Sequence, residues 1–137
     1  MAHDIRVLIV DDEDEFRETL VARLKKRSLR VWGAESGRRA LDLMETRAFD
    51  VVVLDIKMAG MDGIEALEQM KKKEHLTEVI LLTGHASVEA GIEGMKLGAF
   101  DYLMKPINID ELIAKIRQAY QRKVVQESGV TSALSRE

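Results

Sequence analysis

Residues 51–63 read VVVLDIKMAGMDG. Four apolar residues run without alternation from Val51 to Leu54, and an acid, Asp55, closes the run. A strand with one wet face alternates apolar and polar residues, whereas a strand covered on both faces does not. The run is therefore read as a central strand of a parallel sheet. MDG (Met61–Gly63) has the composition of a turn.

Working outward, the same strand-then-helix pattern recurs. Residues 5–10 and 29–34 read as strands before it, and residues 79–82 and 102–104 as strands after it. Between and beyond them, apolar residues fall at helical spacing. The sets are Phe16, Leu20 and Leu24; Ala40, Leu41 and Met44; Ile64, Leu67 and Met70; Val88, Ile92 and Met95; and Ile109, Leu112, Ile116 and Ala119. Asn108 is the expected N-cap of the last helix, with Glu111 in the capping-box position. Five strand–helix units imply a parallel sheet with helices on both faces. Right-handed crossovers make it an α/β, doubly wound fold. The domain is expected over residues 1–121. Residues 122–137 lose periodicity and read as a helix extension fraying into a C-terminal tail or linker.

Composition narrows the classes. The chain has 137 residues, 46% hydrophobic and 33% charged, which fits one globular domain with a real core. It has no Cys, which removes disulfides, thiolate metal sites and Cys nucleophiles. No apolar run approaches membrane-spanning length, and the N-terminus lacks a signal-peptide pattern, so no membrane association and a cytoplasmic location are expected. The net charge of −3 gives no general field for direct nucleic-acid binding. The basic runs Lys25–Arg27 and Lys71–Lys73 fall at expected helix C-termini, where cations complement the helix dipole.

In open α/β sheets the site lies beyond the carboxyl ends of the strands. Asp11 and Asp12 follow the first strand, within the acidic run Asp11–Glu15. Asp55 follows the third, Thr83 ends the fourth, and Lys105 and Pro106 follow the fifth. Singly, each has an ordinary reading: a helix cap, a turn, a β-branched strand residue, a surface lysine. Together they place three carboxylates, a hydroxyl and an ammonium on one rim. Three carboxylates and one Lys leave −2, which suits a hard divalent cation such as Mg²⁺. There is no His or Cys set for zinc. A carboxylate can also attack phosphorus and become an aspartyl phosphate. Positioning and charge neutralisation then do most of the catalysis. The residues alone reach Mg²⁺-dependent phosphoryl chemistry at an Asp, without saying which.

The set VDDE, VLDIKMAGMDG, LLTGH and YLMKPI resembles the receiver domain of two-component response regulators, over residues 5–121. SVEAGIEGMKLGAFDYLMKP further resembles receivers of the nitrogen-regulator type, which often precede a sigma-54-activating ATPase domain. The resemblance implies a (βα)5 flavodoxin-like domain with strand order 2-1-3-4-5, in which Asp55 accepts a phosphoryl group from a kinase phosphohistidine. It implies that Asp11, Asp12, Asp55 and the backbone carbonyl of Lys57 hold Mg²⁺, with Mn²⁺ as an alternative. It gives Thr83 and Lys105 to the phosphoryl group, makes Tyr102 an aromatic switch coupled to Thr83, and makes the bond before Pro106 cis. Lys57 and His85 occupy positions that tune phosphoryl lifetime. The implied partners are a sensor histidine kinase or phosphotransfer protein and an output domain or effector. They include a phosphorylation-dependent homodimer through the face of the fourth helix, fifth strand and fifth helix.

Ala59 stands where the family usually has Pro, which should loosen that loop. Gly91 and Gly94 in the fourth helix each cost about 1 kcal/mol of helix propensity. They mark either close packing or a helix that moves easily. Two enzyme or carrier readings fit less well. A haloacid dehalogenase-type phosphatase needs D-x-D-x-T/V, but Phe16 follows Asp12 and Asp14. A flavodoxin-like carrier needs a phosphate-cradling first loop, which five acids exclude. A degenerate receiver acting only by binding partners would not need the full set of site residues.

Overall fold

The computed structural model describes residues 4–58, 62–84 and 88–136, with side chains through residue 129. Ala59 and His85, both singled out above, lie outside the described residues. The elements alternate strictly: β1 (Arg6–Val10), α1 (Asp14–Lys25), β2 (Arg30–Ala34), α2 (Gly37–Thr46), β3 (Val51–Asp55), α3 (Gly63–Lys73), β4 (Glu78–Thr83), α4 (Val88–Lys96), β5 (Asp101–Met104) and α5 (Ile109–Arg136). All four strand pairings are parallel, and the order is β2-β1-β3-β4-β5. The fold is the doubly wound one expected.

The uninterrupted apolar run Val51–Leu54 explains the layering. Every residue of β3 is buried, as is every residue of β4. Odd-numbered β3 residues Val51 and Val53 face Leu20 and Leu24 of α1 and Leu112, Ile113 and Ile116 of α5. Even-numbered Val52 and Leu54 face Leu41 and Met44 of α2 and Leu67 and Met70 of α3. Period-two strands thus meet period-3.6 helices on both sides. Helix starts are fixed locally: Ser36 accepts from the Arg39 N–H, Asp62 from the Glu65 N–H and Asn108 from the Glu111 N–H.

One basic run departs from the sequence expectation. Lys71 does not simply solvate a helix end. Its ammonium donates to the His75 and Thr77 carbonyls and lies 3.8 Å from the buried Glu78. Lys73 pairs with Glu45, and Arg27 with Asp110. The last helix extends past Arg122. Two side chains from that stretch reach back to the sheet. Arg122 Nε lies 2.6 Å from Glu78, and Lys123 Nζ lies 3.0 Å from Asp50, so the helix stays docked where periodicity fades. No helix among the described residues is long and apolar enough to cross a membrane.

Candidate functional site

The site forms because β1 and β3 are hydrogen-bonded neighbours and both end in acids. Val10 pairs with Leu54, so Asp11 and Asp55 leave the sheet side by side. Their carboxylates and that of Asp12 bring oxygen atoms within 4.8 Å of one another. Asp11 and Asp55 are buried, whereas Asp12 is exposed at the mouth. The acidic run divides here. Glu13 precedes α1, and Asp14 and Glu15 occupy its first turn, where negative charge meets the positive end of the helix dipole.

The Asp11 carboxylate accepts from the Glu13 N–H at 2.8 Å, and its carbonyl accepts from Arg17 at 2.8 Å. The Asp55 carboxylate accepts from the Lys57 N–H at 3.1 Å. Lys105 arrives from the end of β5, which is tied to β4 by its own N–H donating to the Thr83 carbonyl. Its ammonium donates to Asp11 at 3.3 Å and lies 3.5 Å from Asp55 and 3.8 Å from Glu13. Thr83 is buried at the end of β4, one residue beyond the partner of Asp55. The Lys105–Pro106 peptide is cis. Tyr102 on β5 points outward, 40% exposed, and Lys57 is exposed at the mouth.

Electrostatics follow from this crowding. Burial pushes the Asp55 carboxyl up; Lys105 draws it back and Asp11 raises it further, leaving it at about 6. Burial alone would lower Lys105, but Asp55 and Asp11 outweigh it and hold the ammonium above its ordinary pKa. The three carboxylates and Lys105 sum to −2. Their donor set is oxygen only, which fits a hard divalent cation and does not fit zinc.

The structure also brings in residues that sequence reading did not assign to the site. Gly63 starts α3 with its Cα against the β3 end. A Cβ there would lie 2.5 Å from Ile56 Cα and 2.6 Å from the Asp55 carbonyl. The turn composition of MDG was the only signal for it. The Phe16 ring lies 4.5 Å from the Lys105 ammonium, and nothing in the helical periodicity separates that role from core packing. The two glycines of α4 also part company. A Cβ on Gly94 would collide with Leu81, whereas one on Gly91 would make ordinary contact with Thr83 and Tyr102. Close packing therefore accounts for Gly94 and not for Gly91.

Comparison with known proteins identifies the family and the fold. Residues 7–117 match the family model of the response regulator receiver domain. The chain is 44% identical over 116 residues to the regulatory protein AtoC of Escherichia coli, covering 85% of this chain and 25% of that protein. It is 40% identical over 111 residues to the DNA-binding transcriptional regulator NtrC of Klebsiella pneumoniae, covering 81% of this chain and 24% of that one. The chain thus spans about a quarter of the curated relatives it matches. Among solved structures, a Francisella response regulator receiver domain superposes with a TM-score of 0.80 at 36% identity. That match covers 87% of this chain and 98% of the other. A Clostridium thermocellum receiver domain gives a TM-score of 0.85 at 33% identity, covering 89% and 98%. The chain belongs to the response regulator receiver family, and its relatives are regulators of the nitrogen-regulator type.

Proposed function

We propose that this receiver accepts a phosphoryl group on Asp55 from the phosphohistidine of a sensor kinase or phosphotransfer protein. The observation that carries the reading is the cluster of Asp11, Asp12 and Asp55 with Lys105 bridging Asp11 and Asp55. An Asp55 carboxylate oxygen attacks phosphorus, the O–P bond forms, and the P–N bond to the donor imidazole breaks. Asp11, Asp12, Asp55 and the Lys57 carbonyl would hold Mg²⁺. Bound there, the cation supplies charge neutralisation for the phosphoryl oxygens. Lys105 pairs with the phosphoryl group, and the Thr83 hydroxyl donates to it.

Charge drives the response. Three carboxylates carry −3, which a divalent cation and Lys105 balance. A phosphoryl group of about −2 in place of the Asp55 carboxylate leaves about −1. Donors must move to meet it, and Thr83 is the nearest candidate on the neighbouring strand. That movement biases a two-state equilibrium on the α4–β5–α5 face, with Tyr102 turning inward. The exposed Val88, Ile92, Met95, Tyr102 and Met104 on α4 and β5 support this face as the one read by an output domain, an effector or a second phosphorylated copy. We place the receiver at residues 1–121 and give residues 122–137 to a C-terminal tail or linker. The ion pairs of Arg122 with Glu78 and of Lys123 with Asp50 support a helical start to that stretch.

Incubation with acetyl phosphate and Mg²⁺, followed by intact mass measurement, tests the reading. One phosphoryl adduct is expected, absent without metal and absent in Asp55→Asn. An adduct that persists in Asp55→Asn would overturn the assignment.

A further inference from the structure

Lys105 brings a single positive charge to three carboxylates. Asp11, Asp55 and Glu13 lie at 3.3, 3.5 and 3.8 Å. Glu13 is different from the other two: its side chain is 70% exposed, at the rim of the cleft. A lysine stem has four rotatable carbons and a strongly hydrated head, so nothing intrinsic keeps the ammonium deep. Yet the Lys105 side chain is only 24% exposed. The Phe16 ring lies on one further side of it, 4.5 Å from ammonium to centroid.

Phe16 is the third residue of α1, and it packs against the core between that helix and α5. Its position is therefore set by the core, not by the loop that carries Lys105. An aromatic face attracts a cation through its quadrupole. It takes no N–H donor in a fixed direction and cannot accept the proton. The three N–H groups of Lys105 stay available to Asp11, Asp55 and an arriving anion. A carboxylate in the same place would compete with that anion for the ammonium.

We propose that Phe16 is a positioning residue for phosphoryl transfer: its ring holds the Lys105 ammonium in the cleft between Asp11 and Asp55, where an arriving phosphoryl group meets it. The inference rests on the reading of Lys105 as the phosphoryl partner. It extends that reading to a residue whose sequence position suggests only core packing. The expected contribution is that of a partly desolvated cation–π contact, a change of about fivefold in rate.

Phe16→Leu keeps an apolar side chain on α1 and removes the ring; Phe16→Tyr keeps the ring. NMR of the three proteins without phosphodonor reads the contact directly. Lys105 Cε protons are expected upfield in the wild type and in Phe16→Tyr, and at ordinary positions in Phe16→Leu. With acetyl phosphate and saturating Mg²⁺, Phe16→Leu is expected to form the adduct about fivefold more slowly, and Phe16→Tyr within twofold of the wild type. Equal rates in all three proteins, or equal slowing of both variants at matched folding, would overturn the proposal. So would an absent ring-current shift in the wild type. A wild type that forms no adduct but shows the shift would instead overturn the functional reading of the cleft, which keeps the two failures distinct.

Discussion

The two ends of the sheet treat buried acid in opposite ways. At the amino end, Asp50 accepts from the Arg6 backbone N–H and guanidinium, and pairs with Lys123 at 3.0 Å. Glu78 faces Arg122 at 2.6 Å and Lys71 at 3.8 Å. Two acids meet four cations there, and two of those cations come from one turn of α5. At the carboxyl end, Asp11, Asp12 and Asp55 share Lys105. The first arrangement is closed upon itself and staples a helix to the sheet. The second holds formal negative charge in a cleft, which is a cost to folding that makes sense as a binding feature. Burial of a carboxylate is thus no sign of function by itself; how far its own fold compensates it is the informative part.

The titration behaviour separates Asp50 from Asp55, while burial holds Glu78 above its ordinary value despite Arg122 and Lys71. Burial would raise Asp50, but its bonds to Arg6 and Lys123 outweigh it and hold the pKa below the ordinary value. Asp50 therefore contributes stability that is present above its unfolded pKa and lost as pH falls through the folded one. Asp55 is raised to about 6 from 3.8, so its sign is reversed. Its contribution is fully present below the unfolded value and is lost as pH rises through about 6.

The largest expected effect lies at the closed end. Asp50→Ala leaves Arg6 and Lys123 without their buried partner and should cost about 3 kcal/mol in urea unfolding. Phosphoryl uptake per folded molecule should be unchanged; a selective loss of uptake would erase the distinction between the two ends. Next comes the open end. Asp55→Asn, without metal at pH 8, should raise stability by up to about 2 kcal/mol, and the gain should vanish near pH 4. Mg²⁺ should raise the wild-type melting temperature and leave that of the Asn variant nearly unmoved. A destabilised Asn variant at pH 8 would mean that the cleft is compensated after all.

Between the ends, the α4 glycines should separate in unfolding measurements. Gly94→Ala drives a methyl into Leu81 and should cost about 1–3 kcal/mol. Gly91→Ala meets only ordinary contacts and should gain up to about 1 kcal/mol of helix propensity. The smallest contrast is within the acidic run. Asp12→Ala should weaken Mg²⁺ binding strongly by calorimetry with little change in stability. Asp14→Ala should leave Mg²⁺ binding alone and cost under about 1 kcal/mol through α1 and its contact with Arg17.

How legible these features are in sequence follows from their range. The strands, the helix faces and the acids at strand ends are written in local period and order, so the parallel sheet and the cleft residues can be read directly. The amino-end staple cannot. Asp50 sits 44 residues from Arg6 and 73 from Lys123, and no local pattern links them. Lys71 reads as one more cation at a helix end until Glu78 is seen beneath it. Phe16 fits the apolar period of α1 perfectly well, and that period hides its second contact with Lys105. Gly63 and Gly94 look alike in composition to Gly91; only the atoms opposite them show which lacks room for a methyl.

The most direct test of the contrast between the two ends is to locate the phosphoryl group. After reaction with acetyl phosphate and Mg²⁺, borohydride reduction converts an aspartyl phosphate to homoserine, and peptide mass mapping reads where. Conversion at residue 55 alone is expected, with Asp50 and Glu78 untouched. Conversion at Asp11, Asp12 or an amino-end acid, or none at residue 55 in a folded, Mg²⁺-bound protein, would contradict the account.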